Sequence, residues 1–122
     1  MGSKTTLVLG ASSKPHRYSN MAVRSLLAHG EIVLAVGARP GQVESVNILV
    51  GKPVFKDVDT ITLYLSPENQ QPLYSYVLSL QPRRVIFNPG TENREFELIL
   101  QKNGIETIIA CTLVMLSTHQ YR

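Results

Sequence analysis

From Gly10 to Asn20 the chain reads Gly-Ala-Ser-Ser-Lys-Pro-His-Arg-Tyr-Ser-Asn, residue types that suit an anion. Phosphate is held by free backbone N–H groups, a helix N-terminus and positive charge. Gly10 lets the chain turn and a ligand approach, with Ala11 beside it. Ser12 and Ser13 offer hydroxyl donors, and Lys14 and Arg17 offer charge, the arginine with a fork matched to phosphate oxygens. Tyr18 and Asn20 stand where a helix should begin. The plainer reading is that Gly and Ser merely let that helix pack on the preceding strand. A second basic residue, Arg39 in Gly37-Ala38-Arg39, suits a phosphate on an adenosine ribose, either the 2′-phosphate of NADP or the 3′-phosphate of coenzyme A. Its plainer reading is a solvated turn charge.

The loop is not the dinucleotide fingerprint G-x-G-x-x-G, because Ser12 and Pro15 occupy the second and third glycine positions. Nor does an Asp or Glu follow the second apolar run, where an NAD-binding chain bonds the ribose. Catalytic candidates are few. His16 sits in the loop and reads more simply as an exposed polar contact. Asp57 and Asp59 precede a strand and read as turn or cap residues, and Glu92 and Glu95 as first-turn helix charges. Cys111 falls just past a strand at the end where ligands bind. It suits a mixed disulfide with a ligand thiol, or, more simply, a small buried apolar position. With one cysteine and three histidines, His16, His29 and His119, in no ligand spacing, neither a disulfide nor a metal is expected.

These residues need elements to position them. Thr5–Leu9, Ile32–Val36, Thr60–Leu65, Arg84–Phe87 and Ile105–Ala110 read as strands, most of them continuously apolar. Between them lie helical stretches. The first runs over about Met21–Ala28, with Asn20 as cap and Gly30 as stop. The second opens at Ser66-Pro67-Glu68 with an apolar stripe of Leu73, Tyr76, Val77 and Leu80. The third runs from Glu92 or Asn93 to Lys102. Alternation of this kind predicts an α/β Rossmann-like fold: a doubly wound, mainly parallel five-stranded sheet of order 3-2-1-4-5 with helices on both faces. Val46–Val50 is expected to pair briefly with Lys52–Phe55 or to form a small excursion. The segment 111–122 has four apolar residues, Leu113–Leu116, without a helical pattern. It is open to an extra strand, a cover over an apolar face, or a contact with a second subunit.

One domain over 1–122 is expected, with 43% apolar and 17% charged residues as in ordinary globular chains. No apolar run reaches the roughly 18–20 residues of a membrane span, and the N-terminus lacks a signal layout. A cytoplasmic protein with no membrane partner is expected. Met1-Gly2 with Thr6 matches a myristoylation pattern, but Thr6 leads straight into a strand, and residues 1–4 are expected to be an unstructured lead-in. The net charge is +3. Residues 1–61 hold seven Lys/Arg against four acids and residues 62–122 five against five. This modest excess lies with the candidate phosphate loop and suits a small polyanion; no nucleic-acid partner is expected.

The passages Leu7–Gly30, Val36–Gln42 and above all Arg83–Thr118, with Asn88-Pro89-Gly90-Thr91-Glu92-Asn93 the most specific part, resemble the small stand-alone CoA-binding-domain proteins. These are similar in turn to the N-terminal domain of the succinyl-CoA synthetase α subunit. The resemblance implies a Rossmann-like fold binding CoA across the strand ends. By that analogy Gly10, Ala11 and Ser12 hold the pyrophosphate with Arg17 nearby, and Arg39 takes the place of a basic residue near the CoA phosphates. Ser66, Pro67, Asn88 and Pro89 line the crevice further along. Many relatives read Asn-Pro where this chain has Gly37-Ala38. The synthetase's phosphorylated-histidine segment has no counterpart in these residues, so its ligase chemistry is not expected. The leading expectation is therefore non-catalytic binding of coenzyme A or an acyl-CoA. The alternatives are a small NADP- or nucleotide-dependent enzyme, or a ligand-free interaction domain acting as a homodimer through its apolar tail.

Overall fold

The computed structural model describes residues 4–122, so the expectations for Met1-Gly2-Ser3 lie outside the described residues. Among the described residues seven strands form one sheet: β1 (Thr5–Leu9), β2 (Ile32–Val36), β3 (Gly41–Val43), β4 (Val46–Leu49), β5 (Val58–Leu63), β6 (Arg84–Phe87) and β7 (Glu106–Ile109), in the order β3-β4-β2-β1-β5-β6-β7. Every pairing is parallel except the β3–β4 hairpin. The α/β class holds, while the strand assignment within it is corrected. The strand expected third, here β5, pairs with β1 on the side opposite β2. The outer place beyond β2 belongs to β4, which pairs with Ala35 and Val36 alone and turns back through Glu44, whose φ is +52°. Its partner is Gly41–Val43, not Lys52–Phe55.

Both sheet faces are buried, which explains the continuous apolar runs. On one face Leu7, Leu9, Ile61, Leu63, Val85 and Phe87 pack with residues of α3 (Tyr74–Leu80) and α4 (Arg94–Lys102), including Val77, Phe96 and Leu100. On the other, Val8, Ala35 and Ile86 meet Val23 and Leu26 of α1 (Tyr18–Ala28) and Met115 and Leu116 of α5 (Thr112–Ser117). The tail is thus a helix covering an apolar face, with Val114 left exposed. The helix expected from Ser66 is broken into α2 (Pro67–Gln70), a 3-10 turn (Gln71–Leu73) and α3. Pro72, which has no N–H to donate, lies in that turn.

Beyond α5 the chain returns to the N-terminal ends of the strands. Tyr121 is buried, its hydroxyl 2.5 Å from Thr6 Oγ1, with the Arg84 guanidinium over its ring. Arg122 reaches Glu31 at 2.7 Å and Asp59 at 2.8 Å, and Asp59 also accepts from Arg83 at 3.0 Å. Asp59 is therefore a strand residue receiving two guanidinium groups, where a turn or cap residue was expected. Burial by itself would raise its pKa, but the hydrogen bonds from Arg83, Arg122 and Thr60 hold it well below the usual carboxylate range.

Candidate functional site

The C-terminal ends of the parallel strands carry the loops after β1, β2 and β5 and those after β4, β6 and β7, and the winding reverses between β2 and β5 on either side of β1. Two glycines bring the first three loops together. Gly10 has φ +92°, and a Cβ there would lie 2.6 Å from the Tyr64 carbonyl oxygen. A Cβ on Gly37 would lie 2.2 Å from the Ala11 carbonyl oxygen. Both glycines are thus required by close backbone approach between loops, a reason closer to hand than ligand access. Ser13 sits against Gly41, so the loop after β1 rests on the start of β3.

The helix α1 begins at Tyr18, three residues before the expected start, with Arg17 in extended conformation at the N-cap position and no side chain capping it. Asn20 is not the cap. It is buried inside the first turn, donating to the Ser12 carbonyl at 2.9 Å and accepting from Arg24 Nε at 2.8 Å. Arg24 also donates to the Pro15 carbonyl at 2.9 Å, so this pair fixes the loop from beneath. Ser12 Oγ accepts from the Lys14 N–H at 3.1 Å. Ser13, Lys14, His16, Arg17 and Tyr18 are exposed. A helix start without a side-chain cap, a pinned loop and two exposed cations, Lys14 and Arg17, unpaired among the described residues, make an arrangement suited to an anion.

On the β1–β2 side, Gly10, Gly37, Ala38, Lys52, Leu65 and Asn69 border a cavity of about 410 Å³. Lys52, in the coil after β4, brings a charge that the reading of residues 52–55 as a strand missed. Its signal was a cation set between Gly51 and Pro53. Arg39 is exposed on the neighbouring turn. Ser66 and Pro67 are half-buried and start α2, Ser66 Oγ accepting from Asn69 at 3.1 Å.

On the β5–β6 side a second cavity, of about 240 Å³, lies among Tyr18, Tyr64, Asn88, Pro89, Cys111 and Leu113. Asn88 is a buried structural tie, donating to Thr62 Oγ1 at 2.7 Å and the Leu63 carbonyl at 2.8 Å, and accepting from the Thr112 N–H at 2.8 Å. Its amide is spent on two elements, β5 and α5, so it gives the site a wall and no free donor. Gln70, also buried, bridges the Leu65 and Thr91 carbonyls at 2.8 Å each. The Tyr64 hydroxyl is buried and makes no hydrogen bond among the described residues. Burial pushes its pKa up to about 12, the adjacent Thr62 and Thr112 hydroxyls offsetting only part of this. Cys111 is half-buried at the cavity edge. The expected site residues are therefore gathered at one end of the sheet, Asn20 and Asn88 as buried supports, Ala11 buried in the core and the others exposed or half-buried.

A family model for CoA binding domains matches residues 4–117. The chain belongs to this family of CoA-binding domains. The crystal structure of an uncharacterized protein shares 50% identity, covers 99% of this chain and 100% of its own, and superposes with a TM-score of 0.95. A Thermus thermophilus protein shares 25% identity over 98% of this chain and 91% of its own, at 0.86. A conserved hypothetical protein from Pyrococcus furiosus shares 26% over 91% and 97%, at 0.79. No curated protein matches the sequence. No described helix is long and apolar enough to cross a membrane.

Proposed function

We propose that this CoA-binding-domain protein binds coenzyme A or an acyl-CoA across the C-terminal ends of its strands and holds it without transforming it. The observation that carries the reading is the uncapped start of α1, flanked by Ser12, Ser13, Lys14 and Arg17 and lying between two cavities. The pyrophosphate meets the helix N–H groups, and the nucleoside lies toward Gly37 and Lys52. Arg39 supplies charge for the 3′-phosphate, and the pantetheine end runs toward β5 and β6. Supporting the absence of chemistry is the dispersal of reactive groups. Cys111 borders the β5–β6 cavity and His16 lies in the β1–α1 loop, while His29 and His119 border a hollow at the opposite end of the sheet.

The test is a thermal-shift titration against CoA, dephospho-CoA, NADP and NAD. A ligand at about 100 times its Kd adds roughly 2.7 kcal/mol of stability, a shift of several degrees. The expected result is a shift with CoA that shrinks for dephospho-CoA. A larger shift with NADP would favour the nucleotide-enzyme alternative, and a flat response to all four would refute the proposal.

A further inference from the structure

The two cavities differ in chemistry. The one at β1 and β2 has a lysine in its wall. The one at β5 and β6 has no charged residue, its walls being tyrosine and proline rings, a leucine, a thiol and an amide whose hydrogen bonds are already made. It begins at Tyr18, the first residue of α1, so a ligand whose pyrophosphate meets that helix end reaches the cavity with no intervening element. Its volume of about 240 Å³ exceeds the ~150 Å³ of an apolar cavity that admits benzene and falls short of the ~300 Å³ at which drug-sized sites begin. Tyr64 lends the cavity its ring, its hydroxyl being buried away from the open space beside the Thr62 and Thr112 hydroxyls.

We propose that this cavity is an acyl pocket that selects short, uncharged CoA thioesters. This rests on the CoA-binding reading and adds what that ligand carries. An aliphatic chain of a few carbons replaces water against Pro89 and Leu113, each buried methylene contributing up to about fourfold in affinity. A terminal carboxylate has no cation to meet there and would be desolvated unpaired. A long chain exceeds the space. Tyr18, 69% exposed at the cavity mouth, sits where it can close over the chain.

The test is the Kd, by calorimetry, of CoA, butyryl-CoA, succinyl-CoA and palmitoyl-CoA. Butyryl-CoA is expected to bind about tenfold tighter than CoA, with succinyl-CoA and palmitoyl-CoA no tighter than CoA. Leu113→Trp, which fills the cavity, should erase the butyryl preference and leave CoA within about twofold. Leu113→Phe, which fills it in part, should lower that preference about threefold. Should Leu113→Trp fail to fold by circular dichroism, Leu113→Phe carries the comparison. Equal binding of CoA and butyryl-CoA, or tighter binding of succinyl-CoA, overturns the acyl pocket while leaving CoA binding intact. No binding of any of the four overturns the underlying reading itself.

Discussion

Asn88, at the end of β6, accepts a hydrogen bond from the backbone N–H of Thr112, the first residue of α5, at 2.8 Å. Its amide nitrogen is bound to Thr62 and Leu63 at the end of β5. Asn88→Ala leaves a buried N–H and two buried acceptors short of partners, at about 1–3 kcal/mol for the first unsatisfied group alone. A loss of about 2–4 kcal/mol in urea unfolding is expected. Because the side chain has no free donor, CoA affinity of the folded variant should change by less than about threefold.

Gly37→Ala places a methyl carbon 2.2 Å from the Ala11 carbonyl oxygen, so the β1–α1 loop must move. Overpacking of this kind costs about 1–3 kcal/mol. Here the displaced backbone is also the proposed pyrophosphate receptor. The expected outcome is a fall in CoA affinity of at least about tenfold by calorimetry, with a smaller proportional fall for Gly51→Ala, which strains a backbone at φ +80° but whose Cβ meets nothing within 4 Å.

Arg39→Ala should weaken CoA more than dephospho-CoA, since only CoA carries the 3′-phosphate. The ratio of the two Kd values is the readout, expected to drop about fivefold toward unity. An equal loss for both ligands would reassign Arg39, and Lys52→Ala is then the variant to compare.

Asp59 gives the protein an acid-sensitive element. Its folded pKa lies below the ordinary 3.8, so the ionised form is favoured by folding. The stability it supplies is fully present above that ordinary value, and it is lost as pH falls from about 5 through the depressed folded pKa. Urea midpoints measured from pH 7 down to pH 3 should therefore fall more steeply for the wild type than for Asp59→Asn. Parallel curves would show that the Arg83 and Arg122 pairs contribute nothing to folding.

Removing Tyr121 and Arg122 strips the buried Arg84 of both its backbone acceptor, the Tyr121 carbonyl at 2.7 Å, and the ring beneath it. An uncompensated buried charge costs about 3–5 kcal/mol. The truncated chain should unfold at markedly lower urea, and at temperatures where it remains folded its CoA affinity should match the full chain.

Composition and spacing foretold the strands whose apolar runs are bounded by clear punctuation: β1, β2 and β6 have the expected limits. The order failed at β4 because Val46–Leu49 alternates buried and exposed residues and touches β2 through two residues only, a pattern too short to outweigh nearby Gly51 and Pro53. The tail misled for a related reason. A six-residue helix buries only Thr112, Met115 and Leu116, too few for a helical period to stand out. In the site, residue types revealed the exposed loop but not the supports. Nothing in the letters Asn20, Gln70 or Asn88 distinguishes an amide that meets ligand from one that ties loops. That difference depends on neighbours 5 to 26 residues away.

The anchoring of the last two residues at the far end of the sheet separates two kinds of mutational freedom. Charge pairs at the strand starts tie the end of the chain down, and the loops at the strand finishes border the cavities proposed to recognise the ligand. Changes at positions such as Leu113 or Ala38 can therefore redirect recognition while the clasp of Asp59, Arg84, Tyr121 and Arg122 keeps the scaffold in reserve, which makes this small sheet a suitable starting point for altering ligand choice by loop substitution alone.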